Sequence, residues 1–105
     1  MLTFNLKKEW FDKIKSGEKT HEYRIVNEYW GKRLYTQWAK YKFKGTGIPC
    51  CFACGYPKKD DKQKRLYGYI VGIDQLLDGL DTDLKTSKRV FDIEFELIKE
   101  QTNEK

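Results

Sequence analysis

Hydrophobic and polar residues alternate near both ends of the chain. Leu2, Phe4 and Leu6 are separated by polar residues, and a second alternating stretch runs from Val90 to Leu97. Because neighbouring side chains on a strand point to opposite faces, each stretch predicts a strand with one buried face. In the later stretch, the odd-numbered positions 91–97 are apolar, and we expect them to point inward.

Stretches between these ends also favour strands. We interpret Thr20–Val26 as the second strand and the mostly apolar run Ile48–Tyr56, bounded by glycine and proline, as a central strand. Leu66–Ile73 is rich in aromatic and β-branched residues. Within it, Gly68 and Gly72 mark sites for a bulge or a bend. A further strand is expected over three aromatic residues, Trp38, Tyr41 and Phe43.

Two short helices fit other parts of the pattern. Trp10, Phe11 and Ile14 recur at helical spacing, with charged residues on the opposite side. Gly17 is suited to end this helix, because glycine adopts left-handed backbone angles without strain. Asn27 is a suitable N-cap for the second helix.

Five or six short strands with one or two short helices indicate an α+β fold built on a small mixed β-barrel, whose closure removes exposed sheet edges. We expect residues 74–88 to form a loop with one helical turn around residues 75–80. Residues 101–105 are expected to fray. A chain of 105 residues without an internal repeat or a linker predicts a single domain over residues 1–105.

The segment Gly17–Arg24 concentrates groups that can do chemistry. If it enters a strand, Thr20, Glu22 and Arg24 share one face. Lys19 then lies at the strand entrance, beside the glycine turn. An ammonium, a carboxylate and a guanidinium at one rim can bind phosphate or polarise a carbonyl. The same residues also fit an exposed strand edge with a solvated ion pair, since strand edges often carry charge.

Each charged residue of this segment has two possible roles. A partly desolvated Lys19 could act as the base that activates water, or it could stay charged and hold a phosphate. Glu22 could relay a proton or neutralise its neighbour. Arg24 suits two-pronged contact with a phosphate, or stabilisation of an oxyanion. We therefore name Lys19 and Glu22 as candidate catalytic residues and Arg24 as a candidate ligand-binding residue.

Further basic and aromatic residues could extend this rim. Arg33 and Lys58 add positive charge, although each alone also fits a surface position. Trp30 and Tyr56 lie next to glycine and near basic residues, where a nucleobase could stack on the ring. We add these four residues to the candidate ligand-binding set.

Composition favours an anionic partner. The formal net charge is +5 and the isoelectric point is about 9, so nucleic acid or nucleotides are favoured over membranes. No apolar run approaches the length of a membrane span, and the chain begins directly with a strand pattern rather than a signal peptide. We expect a cytoplasmic monomer that needs no cofactor.

Three cysteines lie within five residues, at Cys50, Cys51 and Cys54. A zinc site would need two more ligands, and the only histidine, His21, is distant in sequence. A redox pair would be expected at a helix start, whereas these flanks favour a strand. We predict reduced, buried cysteines and no metal site.

The spacing of Gly17, Lys19, Glu22 and Arg24 resembles the G-x-K-x-x-E-x-R signature of the ASCH family, small domains on a PUA-like β-barrel. Three further segments match in order and extend the resemblance from Leu2 to about Leu97. They are the first helix, Lys8–Ser16, the segment Tyr29–Leu34 and the strand end Phe52–Lys58, which is similar to short, phage-like members.

The resemblance implies an RNA or nucleotide site in the cleft beside the signature. Some small bacterial members are amidohydrolases that deacetylate N(4)-acetylcytidine, using the signature lysine, a threonine three residues later and a distant glutamate. Lys19 matches the lysine, but Glu22 holds the threonine position. The distant acid is not placed, because residues 74–88 offer Asp78, Asp81 and Asp83 but no glutamate. The resemblance thus implies RNA or nucleotide binding, with an amidohydrolase as the alternative.

Overall fold

A computed structural model describes residues 1–98. The expectation for residues 101–105 lies outside this range. The elements of the described residues are β1 (Leu2–Leu6), α1 (Lys8–Lys15), β2 (His21–Ile25), α2 (Glu28–Tyr41), β3 (Ile48–Cys54), a 3₁₀ helix (Lys62–Lys64), β4 (Arg65–Leu76) and β5 (Val90–Leu97).

The five strands form one curled sheet in the order β1-β3-β4-β5-β2. β1 is parallel to β3, and the other neighbours are antiparallel, so the sheet is mixed. The α+β class and the five strands of the sequence-based prediction are confirmed, and the sheet has the shape of a half-barrel. Its two end strands approach where Arg24 of β2 donates a hydrogen bond to the Asn5 carbonyl of β1 at 3.2 Å.

The core fills the concave side of the sheet. β1 buries every second residue, as its alternating pattern predicts. The ring of Phe52 on β3 lies 5.5 Å from Phe4 and 4.4 Å from Phe95, so aromatic contacts join three strands. α1 closes the core with Phe11 and Ile14, which are both buried. Each fully buried side chain of this kind stabilises the fold by about 1.5–3 kcal/mol.

The strand predicted over Trp38, Tyr41 and Phe43 is wrong. Trp38 and Tyr41 belong to α2, which continues for 14 residues, and Phe43 follows in a turn. The helix begins where the Asn27 side chain accepts the backbone N–H of Trp30 at 2.9 Å, as its N-cap role predicts. The aromatic residues at its far end were mistaken for strand positions because they lie mostly outside the core.

The helical turn predicted around residues 75–80 is also wrong. β4 continues to Leu76, because residues 73–76 pair with β5. This pairing partner is distant in sequence, and its hydrogen bonds override the local helical preference. The register of β4 shifts between Ile70 and Gly72, so the irregularity predicted at Gly72 is confirmed. Gly68 has another role, since a Cβ there would lie 2.4 Å from the Glu96 carbonyl oxygen.

Two other expectations concern the cysteines and the membrane. All three cysteines are free; Cys50 and Cys51 are buried, whereas Cys54 is partly exposed. Burial raises the pKa of the Cys50 thiol to about 12, so this sulfur is a poor nucleophile at neutral pH. Across residues 1–98, none of the helices has the length and apolar character needed to span a membrane.

Candidate functional site

The charged face of β2 points into the concave side of the sheet. Glu22 lies opposite Ile93 and Arg24 lies opposite Phe91 in the ladder with β5, and both partners belong to the core. Directly paired residues on neighbouring strands point to the same face, so Glu22 and Arg24 share one face as predicted. β2 thus places charges where other strands place apolar side chains, which is unfavourable unless the charges are paired.

Four charged side chains meet on this face, and we call Lys19, Glu22, Arg24 and Asp83 the motif cluster. Lys19 Nζ donates a hydrogen bond to Asp83 Oδ2 at 2.6 Å and lies 3.4 Å from Glu22 Oε1. Arg24 contacts Glu22 Oε2 through Nη2 at 2.6 Å and through Nε at 2.8 Å. Two cations face two carboxylates, so the formal charges of the cluster cancel.

The motif cluster is nearly closed to solvent. The side chains of Lys19, Glu22 and Asp83 retain only 9%, 6% and 15% of their exposure. Burial raises the pKa of Glu22 above its ordinary value of 4.5, although Arg24 and Lys19 act in the opposite direction. A raised pKa favours proton exchange by Glu22 closer to neutral pH than an exposed carboxyl would allow.

Aromatic rings hold both cations of the cluster in place. Lys19 Nζ lies 5.1 Å from the ring centre of Tyr23 and 5.6 Å from that of Trp10. The Arg24 guanidinium lies 4.9 Å from the ring centre of Trp30. Such cation–π contacts add to the ion pairs, so Trp30 supports Arg24 from within the fold.

A tightly fixed loop delivers Asp83 to the cluster. The backbones of Gly79 and Thr86 pair across its base, with Gly79 N–H donating to the Thr86 carbonyl at 2.8 Å. The buried Thr82 hydroxyl donates to the Gly79 carbonyl at 2.7 Å and accepts the Leu84 N–H at 3.2 Å. The sequence indicates Asp83 only as one of three candidate aspartates. Which of the three reaches Lys19 depends on the backbone pairing within this loop.

A cavity of about 600 Å³ lies between the free edge of β1 and the first half of α2. We call it the β1–α2 cavity; it is lined by Asn5, Tyr29, Lys32, Arg33 and Gln37 among others. The guanidinium of Arg33 lies over the ring of Tyr29, with 3.5 Å between the guanidinium carbon and the ring centre. The backbone carbonyl of Asn5 also accepts the hydrogen bond from Arg24, so the cavity adjoins the motif cluster without including Lys19 or Glu22.

A long stretch that begins just after Glu28, the first residue of α2, and continues past β3 lacks negative charge. Residues 29–59 contain seven lysines and arginines and no aspartate or glutamate. All seven cations are exposed, and none forms an ion pair with a carboxylate of residues 1–98. We call this stretch the acid-free segment. The net charge of +5 does not reveal this segment, because acidic residues elsewhere in the chain offset its charge; the distribution of charge along the sequence does.

The remaining candidate residues lie in different places. Trp30 contacts the motif cluster and Arg33 lines the β1–α2 cavity. Tyr56 and Lys58 follow β3 and are exposed, Tyr56 by 90%. Neither Tyr56 nor Lys58 contacts the cluster or lines the cavity. The structure therefore brings five of the seven candidates to one side of the molecule.

Chemically, the molecule offers two adjoining sites. The motif cluster can move a proton or stabilise a developing negative charge. The β1–α2 cavity instead presents exposed cations that pair with none of the carboxylates of residues 1–98. Within residues 1–98, no three His, Cys, Asp or Glu side chains are grouped as a metal site would require. Comparisons with protein-family models, with curated proteins and with solved structures found no match.

Proposed function

We propose that this protein binds RNA or a nucleotide, and that the phosphate is held in the β1–α2 cavity. The proposal rests on which cations are available to bind a phosphate. Lys32 and Arg33 face this cavity, and neither forms an ion pair with a carboxylate of residues 1–98. Lys19 and Arg24, in contrast, are each paired with a carboxylate. A phosphate gains most from cations that do not first have to give up another anion.

The size and lining of the cavity suit a nucleotide. Its volume of about 600 Å³ falls within the usual range for small-ligand sites, about 300–1,000 Å³. Asn5 and Gln37 offer amide groups that can donate to and accept from a base edge. Arg33 offers a planar, two-pronged contact for phosphate, and its stacking on Tyr29 restricts its motion before binding.

In this proposal the motif cluster shapes the site instead of binding the phosphate. Arg24 fixes the Asn5 carbonyl, and Trp30 packs against Arg24, so both residues position one wall of the cavity. Tyr56 and Lys58 lie outside this pocket. We further propose that the half-barrel is a PUA-like fold of the ASCH type, on the strength of the signature and the order of its flanking segments.

The test measures binding of uridine 5′-monophosphate and of a single-stranded oligouridylate by calorimetry at several salt concentrations. We expect measurable binding that weakens as salt rises, because cations contact phosphate. Arg33→Gln should weaken both ligands about tenfold. Lys15→Gln removes an exposed charge from α1 and should change neither. Equal affinities for Arg33→Gln and the parent protein would refute the site.

A second candidate function is the amidohydrolase of N(4)-acetylcytidine, and the position of Asp83 favours it. An acid that is distant in sequence lies 2.6 Å from Lys19, with Glu22 on the other side of the ammonium. This geometry favours a division of roles in which a carboxylate takes the proton from water. The water oxygen would bond to the acetyl carbon, and the Lys19 ammonium would stabilise the oxyanion that forms on the carbonyl. The protonated carboxyl would then return its proton to the N4 nitrogen as the C–N bond breaks, which releases cytidine and acetate.

The hydrolase is tested by incubating the protein with N(4)-acetylcytidine and measuring release of cytidine and acetate. Lys19→Met and Asp83→Asn should each abolish turnover, while Arg33→Gln should raise KM more than it lowers kcat. Absence of product at micromolar enzyme over hours, with the protein folded and able to bind uridine monophosphate, would leave binding alone.

A further inference from the structure

The second half of α2 and the turn that follows it carry an exposed row of aromatic and basic side chains, which we call the ladder. The rings of Tyr35 and Trp38 are 6.1 Å apart. Lys42 Nζ lies 4.7 Å from the ring centre of Trp38 and 5.0 Å from that of Phe43. Each of the three rings is substantially exposed, with 45% for Trp38. Adjoining exposed apolar side chains are more informative than scattered ones, because contiguous apolar surface can mark a binding site.

Beneath this ladder lies a second cavity, of about 550 Å³, which we call the Trp38 cavity. Its walls are Trp38 and Tyr41 of α2 together with Ile70 and Ile73 of β4, at the place where the register of β4 shifts. Lys42 and Glu96 also line it. The cavity therefore combines flat aromatic walls with one cation and one hydrogen-bond acceptor.

The two cavities lie on opposite sides of α2. Arg33 and Lys42 are nine residues apart, which corresponds to two and a half helical turns. The solvent-facing surface between them presents Lys32 and Tyr35, both exposed. A ligand that occupied both cavities would cross the outside of the helix over a cation and an aromatic ring.

We infer that the Trp38 cavity is a second, base-stacking subsite, and that the two cavities together bind single-stranded nucleic acid across α2. The first subsite rests on the proposed function. Stacking on Trp38 accepts any base, and Lys42 lies where the backbone of such a strand would pass. Glu96 can accept an amino group of a base, and its charge keeps phosphate at the lysine side of the cavity.

The charge of the surface favours nucleic acid over a protein partner. Lys40, Lys42 and Lys44 are exposed and have no carboxylate partner within residues 1–98. They also lie against the aromatic rings, since Lys40 and Lys44 are 5.5 Å and 5.3 Å from the ring centre of Tyr41. A second copy of this chain would bring the same positive surface against itself, so self-association through this face is disfavoured.

Oligouridylates of one, two, four and eight nucleotides distinguish the two subsites, with binding followed by fluorescence anisotropy or calorimetry. Affinity of the parent protein should rise steeply up to about four nucleotides, the lower end of known single-strand site sizes. Trp38→Ala should remove about tenfold of the affinity for the octamer and leave uridine monophosphate unchanged. Trp38→Phe, which keeps a ring, should restore most of the loss.

The controls separate failure of this inference from failure of the proposed function. Arg33→Gln should weaken every length, whereas Tyr56→Ala, which removes an equally exposed ring elsewhere, should weaken none. If Arg33→Gln had no effect while Trp38→Ala weakened the octamer, the first subsite would be wrong and the second would stand. An octamer affinity unaffected by Trp38→Ala and Lys42→Gln would overturn the inference.

Two further experiments test whether DNA or a second copy of this chain binds this surface. An oligodeoxythymidylate of equal length tests whether the 2′-hydroxyl contributes, since stacking and phosphate contact alone predict similar affinity for DNA. Sedimentation of the parent protein and of Trp38→Ala tests self-association. A dimer that dissociates in Trp38→Ala would identify the face as a contact between copies and overturn the inference.

Discussion

The motif cluster and the acid-free segment are both rich in charge, yet they differ in whether that charge is available. In the cluster, two cations meet two carboxylates inside the fold. Along residues 29–59, seven cations are exposed, and none pairs with a carboxylate in the described part of the chain, residues 1–98. A dense group of charged residues in the sequence therefore indicates a site. Whether those residues can bind an external ion depends on their burial and on whether they already pair with each other.

This difference changes what the G-x-K-x-x-E-x-R spacing is expected to do. Its charged residues stabilise the approach of β2 to β1, through the hydrogen bond from Arg24 to the Asn5 carbonyl. They can support proton transfer at Glu22, but an incoming phosphate would have to compete with that carboxylate for Arg24. The cations of the acid-free segment have no such competitor among the carboxylates of residues 1–98, and for this reason we propose that they bind the ligand.

The largest expected effect concerns the motif cluster, which is the buried one of the two regions. Glu22→Ala leaves Arg24 without a carboxylate in a nearly closed site. Removing one partner of a buried ion pair destabilises proteins by about 3–5 kcal/mol, because the remaining charge stays desolvated. We expect a loss of this size in the free energy of unfolding, measured by urea denaturation.

An exposed ion pair of the same length provides the control. Lys8 and Asp12 are 2.6 Å apart, like Lys19 and Asp83, but their side chains are 80% and 51% exposed. Asp12→Ala should hardly change the stability, because solvent screens such pairs. If Glu22→Ala and Asp12→Ala had equal effects, burial would not distinguish the motif cluster from surface charge.

The second largest loss of stability is expected from a substitution in the loop that supplies Asp83 to the motif cluster. Asp83→Ala removes the shortest contact of Lys19, which keeps Glu22 at 3.4 Å. A hydrogen bond to a charged group contributes about 1.5–3 kcal/mol, so we expect a loss near 2 kcal/mol in the free energy of unfolding. Asp81→Ala is the matched control on the same loop and should lose less. Equal losses would show that Asp83 is not a special member of this loop.

Much of the sheet could be predicted from the sequence, because its patterns are local. The alternation of β1 and β5 and the N-cap of α2 follow from residues that are neighbours in the chain. The far end of α2 was misassigned because exposed aromatic residues such as Trp38 break the usual link between apolar character and burial. The end of β4 was misassigned because its pairing partner, Val90, follows 14 residues after Leu76.

The candidate site was predictable in part for the same reason. Lys19, Glu22 and Arg24 are close in sequence, and strand geometry alone places Glu22 and Arg24 on one face. Asp83 is 64 residues from Lys19, and the sequence pattern does not encode that contact. The β1–α2 cavity joins two elements separated by a helix and a strand, so residues such as Asn5 and Lys32 could be chosen only from the fold.

The pH dependence of stability also tests Glu22, and the expected change in the free energy of unfolding is smaller. The pKa of Glu22 is raised in the folded protein, mainly by burial, so the folded state binds more protons than the unfolded state above pH 4.5. Stability must then fall as pH rises from about 4.5 through the raised value. Other carboxylates titrate in this range, so the parent protein is compared with Glu22→Gln.

Urea denaturation of both proteins from pH 4 to pH 8 isolates the contribution of Glu22. The stability of the parent relative to Glu22→Gln should decrease with increasing pH and level off once Glu22 is ionised in the folded state. A difference that instead grows with pH would mean that Arg24 and Lys19 outweigh burial. In that case Glu22 would be a permanently ionised structural partner, unsuited to proton transfer.

The smallest effect tests the exposed side of the comparison through the salt dependence of octauridylate binding. Each cation that contacts phosphate adds about 0.7 to the slope of log affinity against log salt concentration for a single strand. Lys42→Gln should therefore reduce the slope by about that amount, whereas Lys19→Gln, measured where it remains folded, should leave the slope unchanged because Lys19 is already paired. The reverse result would place the phosphate at the motif cluster, and the cations of the acid-free segment would then have no part in binding.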